Sequence, residues 1–295
     1  MHIFISGATG LIGRHLHPFL NTNGTITVLT RTPEKASKLL DNINTVTEVS
    51  SVDFNTIDIV INLAGEPIAN KRWSDEQKQK IRNSRINITQ QISAAIKKCK
   101  SPPHTFISGS AVGFYGQQDD SPIDESFNKP HDEFSHQLCK EWENAALEAK
   151  SDATRVCLLR TGIVLAKQGG ALNKMLPAYK LCLGGPIGSG KQGMSWIHID
   201  DIVNLILFII ADPTICGPIN ASAPNPVSNA QFSKQLGSAL SRPAIMPMPA
   251  FVLKVLLGEM SELLTTGQFV IPTKALEHGY KFKYPHLGEA LRSLM

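Results

Sequence analysis

Three glycines spaced Gly7-x-x-Gly10-x-x-Gly13 lie between the apolar run His2–Ser6 and an amphipathic stretch opening at Leu11, and they constrain this chain more than any other segment. A strand that turns straight into a helix through such a spacing has three needs. One residue must make the tight turn, one must let an anion approach the backbone, and one must let helix and strand touch. The helix N-terminus then presents unpaired N–H groups and the positive end of its dipole. Glycine-rich turns also join strands to helices without a ligand, but a strand before and a helix after favour the dinucleotide reading. Gly7, Thr9, Gly10, Leu11, Ile12 and Gly13 are therefore expected to hold a pyrophosphate.

The rest of the first half alternates short β-branched runs with amphipathic stretches, the pattern of a doubly wound parallel α/β sheet. Strands are expected at Ile26–Thr30, Ile57–Ala64, Thr105–Ser108 and Val156–Leu159. Ser74-x-x-Gln77 reads as a capping box opening a helix whose apolar face is Ile81, Ile88, Ile92 and Ala95/Ile96, stopped by Pro102-Pro103. After about residue 165 the order loosens: a helix from Ala171 to Leu183, the loop Gly184–Gly190, a strand-like Ser195–Ile199 and an apolar helix. The expected organisation is a binding domain over 1–165, its sheet completed by about 195–221, with a smaller substrate lobe from 166–194 and 222–295. A length of 295 residues suits one large core with such an appendage.

Composition excludes several classes. With 42% hydrophobic and 18% charged residues the chain is neither disordered nor collagen-like. A net charge of +4 without a basic stripe argues against nucleic acid as a partner. Five cysteines, none in a C-x-x-C pair, argue against a disulfide framework and suit a reducing cytoplasm. No signal peptide is expected from MHIFISGATG, and Ile202–Ala211 is about half a bilayer span, so no membrane partner is expected either.

The second expected strand ends Leu29-Thr30-Arg31, where an NAD site usually places a carboxylate for the ribose hydroxyls. Arg31 is suited instead to a 2′-phosphate, with Thr30 as a hydroxyl donor and Lys35 as secondary charge, so NADP(H) is the expected cofactor. The competing reading of Arg31 is a solvated surface residue.

Gly7–Gly13, Asn62-Leu63-Ala64-Gly65, Ser108-Gly109-Ser110-Ala111 with Tyr115-Gly116, and Trp196–Asp201 follow one another with a familiar order and spacing. Over nearly the whole chain this resembles the extended short-chain dehydrogenase/reductases. Asn62–Ile68 (NLAGEPI), Lys71-Arg72-Trp73, Gly184–Gly190 (GGPIGSG) and the tail from Gly258-Glu259 to Leu291 resemble, more narrowly, its epimerase-like subfamily, also labelled sugar-nucleotide epimerase-like or cell-division-inhibitor-like. The resemblance implies a Rossmann fold, a nicotinamide dinucleotide touching Leu63, Ala64 and Gly65, and a Ser–Tyr–Lys set. In that set Tyr moves the proton of a substrate hydroxyl, while Lys binds the nicotinamide ribose and lowers the Tyr pKa. Ser110 matches the serine. Where Tyr-x-x-x-Lys should follow, the chain reads His136-Gln137-Leu138-Cys139-Lys140. The subfamily motif also implies Arg85 near the dinucleotide, against a solvent-facing arginine, and Asn87 as a structural helix residue.

His136 and Lys140 are four apart, expected on one face opposite Phe134, Leu138 and Trp142. Imidazole titrates near about 6.5 and a phenol near about 10, so His136 in the tyrosine's place would work with a different driving force. The competing reading makes it a polar group lining the cleft. Tyr115 is a second candidate phenol near Ser110, with packing against the substrate or the strand end as the alternative. His198-x-Asp200-Asp201 carries metal-ligand types but is expected to cap and underlie the apolar helix, so no metal is expected. Lys174, Lys191 and Gln192 are candidates for holding an anionic substrate tail.

Together these features suggest an NADP(H)-binding epimerase-like oxidoreductase acting on a hydroxyl or carbonyl of an unidentified small molecule, with nucleotide sugars among the candidates. The rival is an NADP(H)-dependent sensor or scaffold tied to cell division, which keeps the cofactor and loses the chemistry. The replaced tyrosine leaves open whether the chain is an enzyme. The family resemblance also implies a homodimer through helices resembling Asp75–Lys98 and Glu133–Ala149.

Overall fold

The computed structural model describes residues 1–22 and 24–295. The binding half runs β1 (His2–Ser6), α1 (Leu11–Asn21), β2 (Thr25–Leu29), α2 (Pro33–Leu39), β3 (Ile43–Val46), β4 (Ile59–Asn62), α3 (Asp75–Lys97), β5 (Thr105–Ala111), β6 (Pro122–Ile123), α4 (Phe134–Leu147) and β7 (Arg155–Thr161). Then follow β8 (Ile163–Leu165), α5 (Gly170–Lys180), β9 (Gly193–Met194), β10 (Trp196–His198), α6 (Ile199–Ala211) and β11 (Gly217–Ala221). The chain closes with β12 (Val227–Ser228), α7 (Asn229–Ala239), α8 (Ala250–Leu257), α9 (Glu262–Thr265), β13 (Phe269–Val270), α10 (Thr273–Glu277) and α11 (Leu287–Leu294).

Seven parallel strands form the central sheet in the order β11-β7-β5-β4-β1-β2-β3. This is the doubly wound Rossmann arrangement, whose order reverses between β1 and β4 and opens a crevice at their C-terminal ends. Alternation along the strands builds the two core layers. Ile3, Ile5, Val28 and Ile61 pack with Leu16 of α1 and Ile202 and Ile206 of α6. Phe4, Val60 and Phe106 face Ile92 and Ile96 of α3 and Ala146 of α4.

The sheet differs from the sequence expectation at two places. Ser195–Ile199 does not complete it: β10 pairs with β8 in a separate two-stranded unit, and β11 takes the seventh place. The cause lies at Gly162, where a Cβ would come within 2.6 Å of the Ser195 carbonyl oxygen; there the chain leaves β7, and the Ile163 N–H turns to the same carbonyl at 2.7 Å. The edge strand β3 carries the half-polar sequence INTV and had no periodic signal. At α3 the Ser74 hydroxyl accepts the Gln77 N–H, but the Ser74 N–H donates to the Arg72 carbonyl instead of to the Gln77 side chain, so half of the expected capping box forms.

A third core layer surrounds Trp196 and Phe232, with α5, α7 and α11 supplying Leu172, Leu236 and Leu291. Among the described residues no helix is long and apolar enough to cross a membrane.

Candidate cofactor and active site

At the end of β1 the backbone makes the turn the spacing demanded. Gly7 has φ +74°, and a Cβ there would stand 2.4 Å from the Leu63 carbonyl oxygen; one at Gly13 would stand 2.4 Å from that of Ala8. Gly10 differs: its φ of −73° suits any residue, and a Cβ would meet only the Gly7 oxygen at 3.1 Å. Gly10 is exposed and occupies the N-cap of α1, where no side chain accepts the first-turn N–H groups. Leu11, Ile12 and Gly13 thus present an uncapped helix start beside Leu63–Gly65.

Asn62 fastens that second wall. Its Oδ1 accepts the Ser6 hydroxyl at 2.6 Å and the Ala64 N–H at 3.4 Å, while its Nδ2 donates to Thr89 Oγ1 at 2.7 Å. Arg85 reaches from α3 so close to Gly65 that a Cβ there would lie 2.9 Å from its Cζ, and its guanidinium sits 5.3 Å from the Trp142 ring centroid. Burial pulls its pKa down, and among the described residues no carboxylate lies within ion-pair distance of it. A half-buried cation without an anion beside an uncapped helix start is a complement to phosphate or ribose oxygens. Arg31 and Lys35 are exposed beyond β2, and Thr30 Oγ1 accepts the Thr32 N–H at 3.2 Å. Asn87 is exposed on α3, away from this buried cluster.

Around Ser110 the arrangement departs from the family pattern. Its hydroxyl donates to Glu143 Oε1 at 2.7 Å; the Arg160 guanidinium donates to the same carboxylate at 2.8 and 2.9 Å and to the Tyr115 hydroxyl oxygen at 3.1 Å. Tyr115, fully buried, donates to Asn220 Oδ1 at 2.8 Å, and burial pushes its pKa up to about 12. Its phenol oxygen is thus engaged on both sides within this buried network. His136 is buried, donates from Nδ1 to the Phe114 carbonyl, and sets its ring edge-on to Phe114. A carbonyl can only accept, so Nδ1 carries the proton and Nε2 is left to exchange one.

Lys140 does not join this cluster. Helix α4 buries more of its circumference than the stripe Phe134, Leu138, Trp142 implied, because Ser135, Cys139 and Glu143 face the sheet while Trp142 and Ala145 face α3. His136 lies at the edge of this buried arc, and Lys140 falls outside it with Gln137 and Asn144, exposed. Four residues advance a helix about 40° past a full turn, enough to part the two at such a boundary.

The remaining candidates have local duties. His198 Nδ1, rather than Asp200 or Asp201, caps α6 by accepting the Asp200 N–H at 3.0 Å; burial lowers its pKa to about 4, so the ring is neutral. Asp201 accepts the N–H groups of Lys283 and Tyr284. No cluster of three His, Cys, Asp or Glu placed for a metal occurs among the described residues. Lys174 donates to the Ala69 carbonyl and Asn70, and Gln192 to the carbonyls of Ile187 and Leu264, so of the proposed anion-holding trio only Lys191 is uncommitted among the described contacts.

Sequence reading missed Glu143, Arg160 and Asn220. One signal was present: an arginine inside the apolar run VCLLRTG must bring a partner into the core.

Residues 3–218 match the NAD dependent epimerase/dehydratase family, and residues 248–294 match a domain of unknown function, DUF1731. The Arabidopsis thaliana epimerase family protein SDR39U1 homolog, chloroplastic, is 42% identical over 100% of this chain and 87% of its own length. The human epimerase family protein SDR39U1 is 34% identical over the full length of both chains. The crystal structure of human SDR39U1 with NADPH superposes with a TM-score of 0.91 at 34% identity, covering 100% of this chain and 99% of that one. UDP-glucuronic acid 4-epimerase from Bacillus cereus, at 19% identity, 99% and 97% coverage and a TM-score of 0.78, shares the fold. The chain belongs to the NAD dependent epimerase/dehydratase family, as an epimerase-like short-chain dehydrogenase/reductase of the SDR39U1 kind.

Proposed function

We propose that this protein binds NADP(H) at the crevice between α1 and the Leu63–Gly65 segment and acts as an oxidoreductase or epimerase on a hydroxyl or carbonyl of a small molecule. The observation that carries the reading is the uncapped start of α1, with Gly7 and Gly13 too closely packed for any side chain and Arg85 unpaired beside them. The human relative crystallised with NADPH supports the choice of cofactor, as does Arg31 in place of an acidic residue. Hydride transfer is the chemistry that a bound nicotinamide dinucleotide supplies.

In this reading the first-turn N–H groups of α1 hold the pyrophosphate and Arg31 holds the 2′-phosphate. Arg85 replaces Lys140 as the cation at the ribose. His136, its Nδ1–H anchored on Phe114, exchanges a proton with the substrate oxygen through Nε2. Ser110 spends its own proton on Glu143 and offers lone pairs to a substrate hydroxyl. A nucleoside-diphosphate sugar epimerase from Corynebacterium glutamicum, 31% identical over 99% of this chain and 57% of its own, supports a sugar-nucleotide substrate. Five unpaired thiols support a reducing compartment such as the cytoplasm.

Calorimetry with NADPH and NADH tests the proposal. NADPH is expected to bind more tightly, with Arg85→Met weakening both; a folded protein that binds neither overturns it. A panel of alcohols, carbonyls and nucleotide sugars monitored by nicotinamide absorbance then separates enzyme from sensor.

A further inference from the structure

The match to the domain of unknown function begins at residue 248, and its first stretch reaches the candidate site from outside. Helix α8 ends at Gly258, whose φ of +61° turns the chain into a short 3₁₀ segment, Gly258–Ser261. That segment lands on the connection between β4 and α3, whose start, Leu63–Gly65, is one wall of the crevice. Met260 is buried there with Trp73, Ile81 and Leu138, and Ile68 packs against the same cluster. Around it Arg72 donates to the Val255 carbonyl at 3.3 Å, and Lys78 pairs with Glu259. Trp73 closes the connection on itself, its indole N–H donating to the Ile68 carbonyl at 3.0 Å.

From Met260 the chain runs on to the other end of the site. The Leu264 carbonyl accepts the Gln192 amide N–H at 2.8 Å, and the Gln268 amide donates to the carbonyl of Val112, two residues beyond Ser110, at 2.6 Å. Gly193 and Gly267 meet backbone to backbone, since a Cβ on Gly267 would stand 2.1 Å from the Gly193 carbonyl oxygen. One short stretch therefore holds both the cofactor wall and the turn that follows Ser110.

Resting on the reading that NADP(H) occupies the crevice between α1 and Leu63–Gly65, we propose that Gly258–Gln268 is a clasp that fixes the crevice wall, with Met260 as its positioning residue. Between Leu63 and Ser74 the chain forms neither helix nor strand, so its order comes from what packs against it. A wall left free would have to be ordered at the moment of binding, at a cost in affinity. The Lys78–Glu259 pair and the Arg72 contact lie at the surface, where such interactions contribute little, so the buried Met260 side chain carries the clasp. Coupling of this kind is reciprocal: nucleotide held by the wall must in turn hold the clasp.

Fluorescence titration with NADPH on the full chain compares Met260→Ala with Leu291→Ala, which empties a buried position of α11 in the same C-terminal match. Both are expected to lower Tm. At a temperature where both remain folded, Met260→Ala is expected to raise the NADPH Kd at least about fivefold, and Leu291→Ala to leave it within about twofold. Should Met260→Ala misfold, hydrogen exchange on the wild type decides: NADPH is expected to slow exchange over residues 258–263 and to leave α11 unchanged. A Kd unmoved by Met260→Ala, a Kd moved equally by Leu291→Ala, or exchange over 258–263 indifferent to NADPH overturns the clasp. A wild type that binds no NADPH removes the nucleotide reading instead. Exchange over 66–73 in the nucleotide-free protein then judges the clasp alone, faster in Met260→Ala if it holds and unchanged if it fails.

Discussion

The two ends of the candidate site are built from different materials. The phosphate end, Gly7–Gly13 with Leu63–Gly65, is made of backbone: glycines with no room for Cβ and a helix start without a cap. The proton end is made of side chains brought from distant segments: Ser110 from β5, His136 and Glu143 from α4, Arg160 from β7. Backbone requirements are local and leave a pattern in consecutive residues. Side-chain constellations depend on how a helix is rotated against a sheet. The first end matches its family pattern and the second departs from it, since Arg85 is inward where Lys140 was expected.

The largest effect should come from the proton end. Glu143→Ala leaves the Arg160 guanidinium buried without its carboxylate and Ser110 without its acceptor, a loss of about 3–5 kcal/mol by urea denaturation. Glu143→Leu with Arg160→Met removes both charges and is expected to recover much of it. A single-variant loss below about 1 kcal/mol would show that the pair does not organise this end.

Next comes acid sensitivity at the start of α6. His198 is held neutral by burial, with a pKa of about 4 against an ordinary 6.5. The unfolded chain therefore takes up a proton that the folded one refuses, so stability is complete above about pH 6.5 and falls as pH drops towards 4. The proton that only the unfolded chain accepts in that window is the source of the fall. His198→Asn keeps a cap acceptor and should flatten the dependence of Tm on pH in that window; an unchanged slope would assign the acid limb to other groups.

At the phosphate end the glycines should separate two functions that the sequence motif merges. Gly13→Ala meets the Ala8 backbone and should lower Tm by several degrees, about 2 kcal/mol. Gly10→Val, exposed and without backbone strain, should leave Tm nearly unchanged while weakening NADPH binding at least tenfold. Equal NADPH affinity in a folded Gly10→Val protein would make the turn purely structural. Arg31→Ala should cost about 1.5–3 kcal/mol of NADPH binding and leave NADH untouched.

The smallest effect is expected at Lys140. Because its side chain is exposed on the outer side of α4, Lys140→Ala should change NADPH affinity by less than about 0.5 kcal/mol, whereas Arg85→Met should weaken it more than tenfold. The reverse ranking would restore the family lysine to the cofactor.

The sequence by itself determined the parallel sheet, the glycine turn and the uncapped helix start that follows it. Each is a constraint on neighbouring backbone atoms, expressed as a period of two or as a missing Cβ within a few positions. It also supplied His136 and Lys140 at the family spacing, but not which of them faces inward. That was decided by packing. Helix α4 must cover β5 through Gly109, where a Cβ would touch Trp142 at 2.9 Å, and must bring Glu143 against Arg160, 17 residues away. Tyr115 was likewise committed by Asn220, 105 residues distant on β11. A partner at such separation leaves no local trace, because the free energy of burying a polar group depends on what the fold places beside it rather than on what precedes it in the chain.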